Sequence, residues 1–179
     1  MTNNLTVKDL ELIGFKKIGE WKALETLKNP NKKAYELRMP IDHEWVDENS
    51  IEFFTAKILY AFVFDEEIKY IGKTTEGVKE RLKWYIDPSI KGHSTNKNVN
   101  KKIYELVQPC GSNKNMDIWI FAPNPNNEKY KGFNLDVAAG LEESLIEKNG
   151  TNGWNKIGKY NQIITEKLNR KMQKMLKKE

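Results

Sequence analysis

Two apolar runs separated by an acidic turn constrain the fold of this 179-residue chain more than any other feature. The runs Ile58–Phe64 and Ile68–Ile71 flank Asp65-Glu66-Glu67, a pattern that predicts a β-hairpin within residues 57–72. One tyrosine, Tyr60, lies near the start of the first run and another, Tyr70, near the end of the second. Because hairpin pairing lays the strands side by side, we expect the two tyrosines to be near neighbours at one end of the sheet.

Apolar spacing predicts further elements along the chain. We expect helices at 76–86, 97–107 and 135–148, a third strand at 116–122, and short strands at Leu10–Phe15 and Ala34–Met39. The predicted fold is α/β (α+β), with a central three-stranded antiparallel sheet flanked by helices. Residues 1–56 are interpreted as an N-terminal extension packed on a core of 57–158, and residues 159–179 as a basic amphipathic C-terminal helix, all within one compact domain.

Composition limits the classes of function. No apolar run is long enough to span a bilayer, and the first residues lack the apolar stretch of a secretory signal. The single cysteine, Cys110, excludes an internal disulfide and favours a cytoplasmic location. The net charge of +5 suits an anionic polymer, although many proteins that bind none share it. Residues 165–179 carry six basic and two acidic side chains, so the rest of the chain is nearly neutral.

The hairpin tyrosines, the glycine after the second one and a following arginine resemble the pattern of the GIY-YIG nuclease family. The matching residues are Tyr60, Tyr70 with Ile71-Gly72-Lys73-Thr74, and Arg81. The first element reads Ile58-Leu59-Tyr60 in place of Gly-Ile-Tyr. Gly72 is expected to let the chain turn tightly into the next helix and to let backbone approach closely. Taken alone, the two tyrosines are better explained as ordinary strand residues, because aromatic residues favour strands.

The resemblance implies a role for each matching residue in phosphodiester hydrolysis. Tyr60 would deprotonate the attacking water and Tyr70 would position water or phosphate. Arg81, whose neighbours at helical spacing are not acidic, would stabilise the charge that grows on the phosphate. Asn155 matches the asparagine that closes the family pattern and helps to order the site, although a turn asparagine is the simple alternative.

The resemblance places a carboxylate metal ligand on the helix predicted at 135–148. Glu142 lies inside the apolar stripe of that helix, one turn from Ala138 and from Ile146, and Glu142-Glu143-Ser144-Leu145-Ile146 fits the family pattern. Counting back from Trp154 favours Glu143 instead, so both glutamates stay candidates, with Glu142 preferred. A single hard oxygen ligand indicates Mg²⁺ or Mn²⁺ with several waters retained.

Basic and hydrogen-bonding side chains after the arginine are candidates for nucleic-acid contacts. Tyr85 stands where many relatives carry a histidine, which makes the phage endonuclease II branch the most similar. In that branch a lysine of an inserted loop takes part, and Lys97 or His93 are the candidates here, with a solvated loop as the plain alternative. The full set of predicted nucleic-acid-binding residues is Lys73, Tyr85, His93, Lys97, Lys101 and Lys102.

The sequence therefore predicts a metal-dependent DNA endonuclease, a site-specific enzyme of restriction or phage type. DNA is the expected partner, and a homodimer would suit cleavage of both strands of a symmetric site. Two alternatives stay open: a catalytically silent nucleic-acid-binding module and a structure-specific DNA repair nuclease.

Overall fold

The computed structural model describes residues 5–26, 38–46, 57–89, 94–108, 115–123, 129–130, 133–134, 136–150 and 153–155. These residues form an α+β fold with a five-stranded antiparallel sheet, a separate two-stranded pair and four helices. The strands are β1 (Lys16–Ala23), β2 (Ile41–Trp45), β3 (Ile58–Phe64), β4 (Glu67–Thr74), β5 (Met116–Phe121), β6 (Lys129–Tyr130) and β7 (Phe133–Asn134). The helices are α1 (Val7–Ile13), α2 (Val78–Ile86), α3 (Ser94–Val107) and α4 (Val137–Asn149).

The predicted hairpin is present as β3 and β4. Its turn residues Asp65 and Glu66 both have positive φ, 55° and 63°, which is typical of the type I′ turn that matches the twist of paired strands. In the register of the hairpin, Tyr60 pairs with Gly72 and Phe62 pairs with Tyr70. The register therefore puts both tyrosines on the same face of the sheet, as diagonal neighbours.

The main sheet has five strands in the order β2-β1-β5-β3-β4, so the prediction of three strands is wrong. The two additional strands come from residues 1–56, where β1 pairs with β5 as well as with β2. Trp21 of β1 is fully buried against Phe62, with ring centroids 5.5 Å apart. The segment thus contributes part of the core, while the boundary drawn at residue 56 stays a prediction.

The predicted strand at Leu10–Phe15 is also wrong, because residues 7–13 form helix α1. A capping box starts this helix: the Thr6 hydroxyl accepts from the backbone N–H of Asp9, and the Asp9 carboxylate accepts from the backbone N–H of Thr6. Gly14 ends it in the left-handed conformation at φ 107°. Of the strand predicted at Ala34–Met39, residues 34–37 lie outside the described residues, and residues 38–39 are not in a strand.

Helices cover both faces of the sheet, which explains why every residue of β3 from Ile58 to Val63 is buried. One face packs against α2 and α3 through Val78, Leu82 and Ile103, among others. The opposite face packs against α1 and α4. The predicted helices at 76–86, 97–107 and 135–148 correspond to α2, α3 and α4 with shifted ends, and the predicted strand at 116–122 corresponds to β5.

The predicted C-terminal helix at 159–179 lies outside the described residues, as does His93. Among the residues that the structure describes, no helix is both long enough and apolar enough to cross a membrane.

Candidate active site

The hairpin brings the two predicted tyrosines together on the face that packs against α2. The ring centroids of Tyr60 and Tyr70 are 6.2 Å apart. Tyr60 is fully buried, whereas Tyr70 retains 8% of its surface exposed. Tyr70 is therefore the phenol of the pair that lies nearer to solvent.

Gly72 owes its place to Tyr60 and not to a turn. The residue lies inside β4, and the glycine with positive φ at the start of α2 is Gly77, at 84°. A Cβ added to Gly72 would lie 2.5 Å from the Tyr60 hydroxyl oxygen and 2.6 Å from its Cζ. The tight turn expected at Gly72 is thus wrong. The expected close approach is present, but the group that approaches Gly72 is the side chain of Tyr60 and not backbone.

Arg81 of α2 is bonded to two phenols at once. Its Nε donates to the hydroxyl of Tyr60 at 2.9 Å, and one terminal nitrogen donates to the hydroxyl of Tyr85 at 2.8 Å. The guanidinium carbon also lies 4.9 Å from the ring centroid of Trp84 and 4.8 Å from that of Tyr85. Stacking and hydrogen bonds together fix the planar fork of the arginine.

Three phenols form a chain that ends at Tyr70. The hydroxyls of Tyr60 and Tyr85 are 2.7 Å apart, and the Tyr85 hydroxyl donates to that of Tyr70 at 3.3 Å. In the pair of Tyr60 and Tyr85, either hydroxyl can be the donor. Tyr70, which accepts from Tyr85, is the least buried phenol of the chain.

Burial keeps this cluster neutral apart from its arginine. Burial raises the pKa of Tyr60 and the pKa of Tyr85 above the ordinary value near 10, and the nearby guanidinium only partly offsets that effect. For Arg81, burial lowers the pKa, but the surrounding phenols outweigh it and raise the pKa overall. At neutral pH the cluster thus comprises hydroxyl donors around one permanent positive charge.

Glu142 of α4 lies at the edge of β4. Its carboxylate accepts a hydrogen bond from the backbone of Lys73, and one oxygen is 3.9 Å from the Lys73 ammonium. Burial raises the pKa of Glu142, while the charges of Lys73 and Arg81 oppose that effect. Glu143, the alternative metal ligand, is on the exposed surface of the helix. The charge of Arg81 therefore acts on Glu142 across the site.

Asn155 hydrogen-bonds the edge of β4 at Ile71, two residues before Lys73. The backbone N–H of Ile71 donates to its Oδ1 at 2.9 Å, and its Nδ2 donates to the Ile71 carbonyl at 2.7 Å. The backbone N–H of Trp154 donates to the Lys69 carbonyl at 2.5 Å, and Asn149 donates to that of Ile68 at 2.9 Å. Asn155 therefore aligns the part of β4 that carries Tyr70.

The predicted nucleic-acid-binding residues fall in different places. Lys101 and Lys102 line a cavity that Tyr70 and Asn155 also line. Lys73 is beside Glu142, and Lys97 is half-buried on α3. Tyr85 is fully buried within the phenol chain, so the structure places it with Tyr60 and Tyr70 instead of on the surface.

Tyr85 is the member of this cluster that sequence reasoning did not group with the others. Its spacing of four residues from Arg81 was the available signal, because residues four apart lie on one face of a helix. What the spacing could not show is that this face of α2 points at the two hairpin tyrosines.

The donor set at Glu142 fits a hard divalent cation that keeps most of its water. The described residues contain no group of three or more His, Cys, Asp or Glu side chains arranged to hold a metal. A single half-buried carboxylate suits Mg²⁺ or Mn²⁺, which bind through one or two carboxylates together with substrate phosphate.

Comparisons with known proteins give one distant likeness. No family model matches the sequence, and no curated protein matches it. The solved structure "Restriction endonuclease HPY188I in complex with product DNA" is similar with a TM-score of 0.40 and 16% sequence identity, over 81% of this chain and 79% of that chain. A likeness at this level identifies neither family nor activity.

Proposed function

We propose that the protein is a metal-dependent DNA endonuclease of the GIY-YIG type, a site-specific enzyme of restriction or phage kind. The observation that carries the proposal is Arg81 bonded to Tyr60 and Tyr85, with Tyr70 at the outer end of the phenol chain and Glu142 at the neighbouring strand edge. The sequence pattern that resembles this family supplies the same residues. A DNA phosphate is the substrate group that this set suits best.

Arg81 would stabilise the charge that develops on phosphorus. A guanidinium has five N–H donors, and the two phenols engage only Nε and one terminal nitrogen. The remaining donors are held by stacking on Trp84 and Tyr85, so binding a phosphate would cost little reorganisation. Tyr70 would add a neutral hydroxyl donor to a phosphate oxygen from the outer end of the chain.

Tyr60 is the proposed acceptor of the proton of the attacking water. A phenol accepts a proton only after it loses its own, and burial holds the pKa of Tyr60 above its ordinary value. The hydrogen bond that Arg81 donates stabilises the phenolate when it forms, and the Tyr85 hydroxyl can donate to it as well. The rate of this step should therefore depend on pH.

Glu142 would hold the divalent cation, with Asn155 keeping β4 in register beside it. When bound, such an ion supplies Lewis-acid stabilisation and lowers the pKa of water. Because β4 is the edge strand of the sheet, a phosphate lying along that edge can meet Glu142 and Arg81 together.

The test is cleavage of supercoiled plasmid and long linear DNA with Mg²⁺, Mn²⁺ or EDTA. We expect metal-dependent cutting by the wild type, with discrete ends that share a sequence. Glu142→Ala and Arg81→Ala should lose activity, whereas Glu143→Ala and Lys83→Ala, exposed on the same two helices, should retain it. Unchanged cutting by the first two variants would exclude this assignment, and metal-independent DNA retention without cutting would favour a silent binding module.

A further inference from the structure

A cavity of about 450 Å³ lies between α3 and the segment 153–155, beside the outer end of the phenol chain. Its lining includes Tyr70, Asn98, Lys101, Lys102, Trp154 and Asn155. Ligand pockets typically have volumes of about 300–1,000 Å³, so this one is large enough for a small ring system. The roles proposed above for Tyr70 and Asn155 do not use the space that it encloses.

Trp154 is held rigidly beside this cavity. Its backbone N–H donates to Lys69, and the next residue, Asn155, is bonded twice to Ile71. The ammonium of Lys102 lies 5.6 Å from the Trp154 ring centroid. The backbone of Trp154 is anchored, and the Lys102 ammonium lies over its ring. A base that stacks on this indole would displace the ammonium, which could then pair with the phosphate of that nucleotide.

The charge of the lining favours an anionic ligand. Among the described residues that line the cavity, two are basic, Lys101 and Lys102, and one is acidic, Glu105. The Glu105 carboxylate is 3.6 Å from the Lys101 ammonium. Asn98 adds an amide that can donate and accept at the edge of a base. The lining thus combines the Trp154 indole with hydrogen-bonding groups and positive charge.

We propose that this cavity binds a single nucleobase that lies outside the double helix, stacked on Trp154, with its phosphate on Lys101 and Lys102. The identification of the polymer as DNA rests on the proposed nuclease function. Since Tyr70 borders both the cavity and the phenol chain, the bound base belongs to a nucleotide next to the phosphate that is cut. DNA with an unpaired nucleotide, or DNA from which the protein extrudes one, is therefore the substrate class.

Binding in EDTA tests the proposal without cleavage. Three labelled duplexes are compared: one fully paired, one with a single unpaired nucleotide, and one with an abasic unit at the unpaired position. We expect the wild type to bind the second about tenfold more tightly than either of the others, which is the usual scale for one stacked base. Equal affinity for all three overturns the proposal.

Variants show which residues produce the preference for the duplex with an unpaired nucleotide. Trp154→Leu keeps apolar packing and should remove the difference between the duplexes, whereas Trp154→Phe keeps a stacking face and should retain most of it. Lys102→Gln should weaken binding of the unpaired nucleotide more than Lys8→Gln, which changes an exposed lysine of α1, the helix on the opposite face of the sheet. If Trp154→Leu does not fold, the comparison of the three duplexes with wild type and Lys102→Gln decides. A full preference that survives in both Trp154→Leu and Lys102→Gln overturns the proposal.

A free nucleotide shares the same chemistry, and deoxyadenosine monophosphate distinguishes the two sources. Binding of the monophosphate as tight as that of the unpaired duplex, without any preference among duplexes, overturns the proposal in favour of a free nucleotide.

The proposed nuclease function and the proposed base-binding cavity can be rejected independently of each other. Equal duplex affinities in a protein that cuts plasmid overturn only the cavity proposal, and a clear preference without cutting in any metal supports the cavity while excluding the nuclease.

Discussion

Tyr60 and Gly72 behave as one unit, because the phenol occupies the space where a side chain at position 72 would be. The contact distance of 2.5 Å to a Cβ is one that folded proteins do not tolerate, and a rigid ring cannot give way as a flexible side chain does. Hairpin register makes the two residues direct partners, so the glycine and the first tyrosine of the pattern depend on each other.

Gly72→Ala should therefore lower both stability and activity. We expect a loss of about 1–3 kcal/mol in the free energy of unfolding and about a hundredfold in cleavage rate, because the ring must leave Arg81. The matched control is Gly140→Ala, at an exposed position of α4 where an added Cβ would meet nothing within 4 Å. That change should stabilise the protein by about 0.5–1 kcal/mol. Urea unfolding and plasmid cleavage measure both effects, and an active, stable Gly72→Ala protein would contradict the contact.

The raised pKa of Tyr60 predicts how the cleavage rate depends on pH. If the phenolate is the base, its fraction at pH values well below the raised pKa grows about tenfold per pH unit. The single-turnover rate at saturating Mg²⁺ should then rise from pH 7 to pH 9.5 without a plateau. Tyr60→Phe should lower the rate and flatten its pH profile, whereas Tyr104→Phe, on α3, should leave the profile steep. A plateau below pH 8 would show that a different group limits the step.

Glu142 should reduce stability at neutral pH while it serves the site. Because burial raises its pKa, the folded state binds the proton more tightly than the unfolded state does. The stability contributed by this group is fully present below the unfolded pKa of about 4.3 and is lost as pH rises through the higher folded pKa. Without metal, Glu142→Gln should then melt above the wild type at pH 7 and level with it near pH 3.5, and it should not cut DNA.

Thermal unfolding followed by circular dichroism measures this difference. Glu147→Gln is the matched control, since Glu147 is an exposed glutamate of the same helix, and the variant should melt with the wild type at pH 7. A Glu142→Gln protein that melts below the wild type at pH 7 would mean that the contacts with Lys73 outweigh the cost of burial.

At the scale of elements, the edge of β4 is closed by side chains in place of another strand. Asn155 supplies a donor and an acceptor to Ile71, as the backbone of a neighbouring strand would, and Asn149 supplies a donor to Ile68. The covered stretch includes Tyr70. The C-terminal end of α4 and the segment after it therefore determine where the outer phenol lies.

Asn155→Leu should loosen this edge. Two hydrogen bonds are lost and two backbone groups of Ile71 are left unpaired, which costs about 1–3 kcal/mol. Amide exchange at Ile71 should accelerate and cleavage should fall. Asn115→Leu is the control, because that exposed asparagine donates to the Glu20 carboxylate of β1 and not to β4. Unchanged exchange at Ile71 in Asn155→Leu would contradict the role of the side chain.

Elements defined by their own periodicity were predictable from the sequence, and elements defined by distant partners were not. The hairpin, β5 and helices α2 to α4 each carry a strong local pattern. Residues 16–23 read Lys-Lys-Ile-Gly-Glu-Trp-Lys-Ala, a weak local signal, and they form a strand because β5 lies beside them. For α1 the local signal was present, in Thr6 and Asp9, but the apolar run Leu10–Phe15 favoured a strand.

For the candidate site too, the residues were predictable from the sequence but their distant contacts were not. Tyr60, Tyr70, Arg81, Glu142 and Asn155 could be proposed from the resemblance, but the sequence does not contain the contacts among them. The pairing of Asn155 with Ile71 joins residues 84 positions apart. The cavity beside Tyr70 needs α3 and Trp154 to approach each other, which no local pattern encodes.

At the scale of the whole molecule, the described residues of the N-terminal segment pack against the residues of the site. Trp21 packs against Phe62 and, with centroids 6.4 Å apart, against Tyr85. Arg38 forms an ion pair of 2.8 Å with Asp87 just after α2. The amide of Asn100 joins the backbone of Met39 to the carbonyl of Tyr85. The helix that carries Arg81 is thus held partly by the N-terminal segment.

A chain that begins at residue 57 should therefore fail to fold by itself. Removing β1 leaves β5 without one of its two partners and exposes the ring of Phe62 to water, which a small domain tolerates poorly. We expect the fragment 57–179 to show no cooperative thermal transition and no cleavage, while the full chain shows both. Adding the separately made fragment 1–56 should restore part of the near-ultraviolet circular dichroism, because the two pieces share one sheet. A fragment 57–179 that melts cooperatively near the temperature of the full chain would instead show that the core is independent of β1 and β2, as an accessory extension implies.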